Sequence, residues 1–271
     1  MAGGYDCEAH SNRIITMAKA PKPKNVRSNT TDSVVKVSKA LSYLLRHGAE
    51  KRGLKLLPGG FLFLDDILQL QDFHSVTVDE IKHVVETNDK KRFTLETDLE
   101  SGKLRIKANQ GHSIKVEDLE LQPITDATEY PIVVHGTYVR PYKQIEKEGL
   151  KPMGRMHIHF APGEPGHHEV ISGMRNSCTV LIYLNLQKAM QDGIEFFLSP
   201  NKVILSPGNI DKVIPPAYFD KVINRKTGDK LLQDGVPLNI EKEEMESQSS
   251  IVTAEDIANE FDKKKNRRKK K

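Results

Sequence analysis

Apolar residues recur every three to four positions at Val37, Ala40, Leu41, Leu44, Leu45 and Gly48. That spacing predicts a helix with one buried face, with Ser38 as its start signal and Gly53 as its stop. At about 100° per residue, Arg46 then projects almost opposite Leu44, and His47 lies on the border of the apolar stripe. Pro58-Gly59-Gly60 reads as a turn, after which FLFL suggests a short strand and DDILQL a second helix. Thr77 and Glu80 have the spacing of a capping box and open a third helix, VDEIKHVVE. KRFTLE and LRIKAN, separated by DLESGK, read as the two strands of a hairpin. Three helices followed by a β-hairpin is the order of a winged-helix module.

From Pro131 the pattern turns strand-rich. IVVHGT reads as a strand ending in a polar loop, and YKQIEKEG as a short helix stopped by Gly149. HIHFA, TVLIYLNL, IEFFLS and KVILSPG follow as strands, the second of them apolar enough to be central, with Pro200 and Asn201 as a turn. The stretch 120–130 breaks all periodicity and marks a junction. The expected fold class is therefore α+β in four parts. Residues 1–33 form an aperiodic, disordered leader, 34–122 a helical lobe with a hairpin, 123–232 a β-rich lobe, and 233–271 an acidic, then basic, flexible tail.

Composition narrows the class. The chain has 271 residues, of which 37% are hydrophobic and 29% charged, which suits a soluble protein. No stretch approaches the roughly 20 apolar residues of a membrane span, and Met1 to Lys36 has no apolar signal core. Cys7 and Cys178 stand far apart, which favours a reducing compartment, cytoplasm or nucleus, over a disulfide framework. The net charge of +4 hides an asymmetry: Lys263, Lys264, Lys265, Arg267, Arg268, Lys269, Lys270 and Lys271 supply eight cations, so the remainder is net negative. Nucleic-acid binding by the folded part would then rest on local clusters. The tail itself reads equally as a nuclear localisation signal, an RNA-attracting arm or a solvated end.

Several clusters carry candidate chemistry. Arg46 and His47, side by side near a helix end, offer a forked cation and a titratable donor suited to a phosphate dianion, although an outer-face arginine is more often simply solvated. Arg92 follows Lys90 and Lys91, a basic group that serves either solubility or phosphate contact. His135-Gly136-Thr137 ends a strand with close backbone approach at the glycine. His157 and His159 share one face of a strand. Without a Cys, Asp or Glu at ligand spacing they argue against zinc, while His167 and His168 keep a metal in play. Arg175 sits in SGMR after a Gly- and Pro-rich loop. Lys107, Gln110, Gly111, His112 and Ser113 crowd the end of the hairpin in RIKANQGHS. Neither a Walker loop nor a Rossmann fingerprint is present.

The ordered set SKALSYLLRH, NDKKRF, ANQGHS, HGT, HIHF and SGMR resembles the NAD-dependent RNA 2′-phosphotransferase family over about residues 37 to 220. The resemblance implies a winged-helix RNA lobe followed by an ADP-ribosyltransferase-like NAD lobe. It implies NAD as a consumed co-substrate and 2′-phosphorylated tRNA or other RNA as the partner, with no membrane and no obligate protein partner. Arg46, His47, Arg92 and Arg175 match the family's essential side chains, the first three for the RNA phosphate. His135, Gly136, Thr137, His159 and Arg175 match the NAD pocket, and Lys107, Gln110, His112 and Ser113 are candidates for supporting contacts. The implied chemistry is transfer of the 2′-phosphate to NAD through an ADP-ribosylated RNA phosphate. At the position where many protein-modifying relatives of that fold carry a glutamate, this chain has Val203, with Glu195 nearby. The rival readings are an ADP-ribosyltransferase that stops after the first step, on nucleic-acid ends or on protein, and a non-catalytic RNA-binding protein.

Overall fold

The structure, a computed structural model, describes residues 26–167 and 170–238. The first twenty-five residues, His168, and the acidic and basic tail from residue 239 lie outside the described residues, so the disordered-leader and tail readings there have no structural counterpart.

Helix α1 spans Val26–Tyr43. It begins well before Val37, and Ser38 is an interior residue rather than a start signal; residues 26–33, assigned to the leader from sequence, are helical. The apolar stripe marks only the part of the helix with a core to pack against. There Val37, Leu41, Leu44 and Leu45 are buried, as expected. After Tyr43 the helix widens into a π-helical turn over Leu44–Gly48, then tightens into a 3₁₀ turn over Glu50–Arg52. Gly53 ends it in the left-handed conformation at φ 74°, as the stop signal predicts.

Strand β1 (Phe61–Phe63) leads into α2 (Leu64–Leu68), and α3 spans Val78–Glu86. The capping box is complete: Thr77 Oγ1 accepts from the Glu80 N–H at 3.2 Å, and Glu80 Oε2 accepts from the Thr77 N–H at 2.8 Å. Strands β2 (Phe93–Thr97) and β3 (Leu104–Ala108) form the hairpin in register Phe93↔Ala108, and β1 pairs with β3 to give a three-stranded antiparallel sheet. Ile81, Val84, Ile67, Leu41 and Ile106 join helices and sheet in one core.

The second half is a pair of packed antiparallel sheets. One contains β4 (Gln122–Pro123), β6 (Ile158–Phe160), β8 (Phe197–Leu198) and β9 (Ile204–Ser206) in the order β4-β8-β9-β6. The other contains β5 (Val134–Thr137), β7 (Val180–Leu184), β10 (Phe219–Asn224), β11 (Lys230–Gln233) and β12 (Val236–Pro237) in the order β12-β11-β10-β7-β5. Every residue of β7 is buried, which fits its apolar sequence. Phe160, Phe196, Ile182, Leu184, Phe219 and Val222 fill the space between the sheets. Helix α4 (Val139–Glu148) is closed by the Gly149 N–H bonded to Ile145 O, and α5 (Leu186–Gln191) follows β7. The meander β10 to β12 carries no signal in the apolar pattern, because β11 and β12 are short and β10, though six residues long, buries only Phe219 and Val222, out of strand alternation.

The halves meet through specific contacts. Lys90 Nζ donates to Met174 O at 3.4 Å, Asn201 Nδ2 donates to Lys90 O at 3.1 Å, and the Met156 N–H donates to His112 O at 2.9 Å. Among the described residues no helix is long and apolar enough to cross a membrane.

Candidate active site

Between the halves lies a cavity of about 710 Å³. The helical half lines it with Arg46, His47, Lys90, Arg92 and Gln110. The β-rich half contributes His135, Gly136, Thr137 and Tyr138 from the end of β5, Arg155, His157 and His159 around β6, and Ser172 to Arg175 from the following loop. Among the described residues that line it are five cations and four histidines, and no Asp or Glu.

Arg46 lies on the face of the helix opposite buried Leu44, in line with Ser38 and Ser42, and that face is walled by the second half rather than left to solvent; the π-helical turn over Leu44–Gly48 carries both Arg46 and His47 there. Its Nε and Nη2 are buried without an acceptor among the described residues. The polar end of the hairpin packs around this group. Gly111 packs directly against the Arg46 side chain, and its φ of 90° is a left-handed conformation that favours glycine. Ser113 Oγ lies 2.8 Å from His47 Nδ1, and the Ser113 N–H donates to Arg46 O at 3.0 Å. With Nδ1 so engaged, Nε2 is the His47 nitrogen left for a ligand. Asn88 Oδ1 accepts from both Arg92 Nη1 (3.1 Å) and the Arg92 N–H (3.2 Å), and Asn109 Nδ2 donates to Lys91 O at 2.7 Å. NDKKRF and ANQGHS are thus one hydrogen-bonded frame for the cations.

On the other side, alternation along β6 sends Ile158 and Phe160 into the core and leaves His159, with His157, on the cavity side. His135 Nδ1 donates to His159 O at 2.9 Å, which leaves Nε2 as the acceptor of its neutral ring. Gly173, at φ 104°, brings the loop carrying Arg175 against β6: a Cβ there would stand 2.9 Å from Phe160 O. Arg175 is exposed at the rim and hydrogen-bonds Tyr138, whose hydroxyl also meets Ser177 Oγ at 2.9 Å.

Burial, helped by repulsion between neighbouring cations, disfavours the charged forms of several groups in the cluster. Arg46 is pushed down to about 10 by burial first, then by Arg155 and Arg92. Burial and then Arg46 lower His47 below the usual imidazole value, and burial lowers His135 and His157. His112 and His159 fall furthest, to about 4 and about 3, again chiefly through burial. A group whose folded pKa lies below its unfolded value of 6.5 confers stability that is complete above pH 6.5 and is lost as pH falls toward the folded value. By pH 5 that loss is on the order of 2 kcal/mol for each ring. Melting curves between pH 7.5 and 5 are therefore expected to shift downward, with a shallower fall in His112→Gln. Parallel pH dependences for the two proteins would mean that His112 is not a neutral buried ring.

The structure gathers Arg46, His47, Arg92, Gln110, His135, Gly136, Thr137, His159 and Arg175 at one cavity. His112 and Ser113 stand directly behind it. Lys107 does not reach it: Lys107 is buried, paired with Glu120 at 2.6 Å and 4.5 Å from the Phe61 ring centroid. Lys91 turns away at φ 43°, whereas Lys90 faces in. Arg155 is the cation that sequence reading passes over, although it continues the alternation of His157 and His159 by one more step. Val203 is fully buried, and exposed Glu195 is not part of the lining. Among the described residues no group of three or more His, Cys, Asp or Glu could hold a metal ion.

The chain as a whole is similar to known proteins. The sequence profile of the RNA 2′-phosphotransferase, Tpt1 / KptA family matches residues 32–208. The tRNA 2′-phosphotransferase 1 of Danio rerio is 49% identical over 189 residues, covering 69% of this chain and 84% of that protein. The tRNA 2′-phosphotransferase 1 of Homo sapiens is 43% identical over 234 residues, covering 86% and 88%. The tRNA 2′-phosphotransferase of Saccharomyces cerevisiae is 39% identical over 208 residues, covering 73% and 88%. With a family profile over residues 32–208 and relatives 39–49% identical over most of its length, the chain belongs to the RNA 2′-phosphotransferase family.

Proposed function

We propose that this protein transfers the 2′-phosphate of RNA, such as one left at a tRNA splice junction, to NAD as co-substrate. The observation that carries the reading is a cavity with five cations and no carboxylate, in which the buried Arg46 guanidinium has two nitrogens without an acceptor. Such a site is incomplete without an anion, because an uncompensated buried charge costs several kcal/mol. The order α1-β1-α2-α3-β2-β3 is that of a winged helix, which fits an RNA-binding lobe. The packed antiparallel sheets fit the ADP-ribosyltransferase-like lobe that the family resemblance implies.

The residues of the β-rich half suit NAD. Neutral His135 and the Gly136 backbone offer polar contacts of the kind a ribose or amide takes, and Arg155 has the charge a pyrophosphate needs. A volume of about 710 Å³ falls within the usual range of ligand sites, roughly 300–1,000 Å³. In the proposed reaction the RNA 2′-phosphate attacks C1″ of the nicotinamide ribose as the C1″–N bond breaks and nicotinamide leaves. Phosphorus then passes from the RNA 2′-oxygen to the ribose 2″-oxygen, and the hydroxyl proton lost there is regained by the RNA. The products are 2′-hydroxyl RNA and ADP-ribose 1″,2″-cyclic phosphate.

The chain's side chains have distinct tasks. Arg46 and Arg92 hold the phosphate, and Asn88 fixes the angle of Arg92. A phosphate nucleophile is already anionic at neutral pH, so no carboxylate base is needed, in keeping with the acid-free lining. His47, neutral before the anion arrives and drawn toward protonation beside it, donates to the departing RNA 2′-oxygen. Burial of Val203 leaves no side-chain carboxylate there to activate a protein acceptor.

The test is to incubate a 2′-phosphorylated oligonucleotide with NAD and follow both nicotinamide and the RNA phosphate. Cyclic-phosphate product is expected. ADP-ribosylated RNA as the end product would make the protein a transferase that stops after one step. RNA binding with no nicotinamide release would reduce it to a binding protein.

A further inference from the structure

A second groove, of about 530 Å³, opens from the phosphate end of the cavity and shares Arg46, Lys90 and Arg92 with it. One wall is a stripe of α1: Val35, Lys39 and Ser42, spaced to lead along the helix to Arg46. The other wall is the end of α3 and the loop after it, from Val84 to Asp89. Lys39 is exposed and, among the described residues, has no carboxylate partner. With it the groove has four cations against a single acid, Asp89.

A 2′-phosphorylated nucleotide inside an RNA strand is joined to neighbours, so the strand must leave the cavity. The β-rich side is taken up by the co-substrate half. The groove along α1 is continuous with the phosphate cluster, carries the right charge, and adds an apolar floor at Val35 and Val84 with a hydroxyl at Ser42, a mixture suited to an unstacked nucleotide. We propose that this groove holds the nucleotide adjoining the 2′-phosphorylated one, with Lys39 on the connecting backbone phosphate. The proposal rests on the RNA phosphotransfer reading given above, and names where that substrate continues.

Equilibrium binding separates the two ideas, because it does not need turnover. Fluorescence anisotropy with a labelled 2′-phosphorylated trinucleotide, and competition by an unlabelled 2′-phosphorylated mononucleotide, give a Kd for each length. Lys39→Glu is expected to weaken the trinucleotide about tenfold whatever its bases, and Lys39→Ala to lower the salt dependence of its log Kd by about 0.7, the value for one phosphate on a single strand. Lys39→Arg should restore both. The mononucleotide Kd should move less than about twofold in each variant. Equal weakening at both lengths, or none at either, overturns the groove assignment. Absence of nicotinamide release from every 2′-phosphorylated RNA would instead count against the transfer reaction, with the Kd comparison still deciding the groove.

Discussion

Arg46→Met is expected to abolish turnover and, at the same time, to raise the melting temperature of the ligand-free protein. The two effects have one cause. Arg46 is a buried cation whose Nε and Nη2 have no acceptor among the described residues and whose nearest charges, Arg155 and Arg92, repel it. Its fall to about 10 corresponds to roughly 3 kcal/mol of unfavourable environment. Methionine keeps much of the unbranched stem and discards the charge, so the free protein should gain stability, at about 2–4 °C per kcal/mol for a chain of this size. Binding reverses the balance. A phosphate dianion would neutralise the cluster and accept from the guanidinium fork, and losing that donor should cost about 10³-fold in kcat/KM. The same melts with inorganic phosphate complete the argument: wild type should be stabilised and the variant much less. Near-normal turnover in Arg46→Met, or a lower melting temperature, would mean that the guanidinium has a structural partner and not a ligand to wait for.

How far the sequence foretold this site depended on which physical signal each part carried. Elements with a strong period were legible: the capped helix α3, the hairpin β2–β3 and the all-buried β7 stand where their patterns place them. Helix α1 was legible only where it has a core to face, and its early turns, polar from Arg27 to Ser33, announce nothing. Strands β10 to β12 are stabilised by pairing with β7 and with one another, a tertiary fact that no local pattern records. Arg46 is the sharper case. Helical phasing places it correctly, opposite Leu44, but reads that face as solvent, because the wall that encloses it comes from the second half of the chain, a tertiary fact. The polar run NQGHS gives the opposite lesson. Its residues look interchangeable in sequence, yet they divide the work: Asn109 ties the Lys91 loop, Gln110 lines the cavity, Gly111 makes the left-handed turn against Arg46, and Ser113 orients His47.

Arg175→Ala is expected to leave an ADP-ribosylated RNA that builds up before product, a different failure from that of Arg46→Met. The two steps of the proposed reaction place unlike demands on charge. In the first, an anionic phosphate meets a ribose carrying a cationic nicotinamide, so charge is annihilated as the bond forms; the buried cluster of Arg46 and Arg92 need only hold the nucleophile in line. In the second, negative charge develops on the transferring phosphoryl oxygens and on the departing RNA oxygen, which calls for a cation brought to that point. Arg175 is placed for this. It is exposed at the rim, on a loop pressed against β6 by Gly173, and is steadied by Tyr138, so it can approach a bound substrate without the desolvation cost that Arg46 already bears. Arginines supplied in this manner to phosphoryl transfer are worth about 10³-fold or more. Quenched time courses with RNA labelled in its 2′-phosphate should therefore show the intermediate rising early and decaying slowly in Arg175→Ala. The first step should be slowed by a much smaller factor. If no intermediate accumulates and nicotinamide release falls as steeply as product formation, Arg175 acts on substrate binding in both steps, and the division between a buried clamp and a rim cation for phosphoryl transfer is wrong.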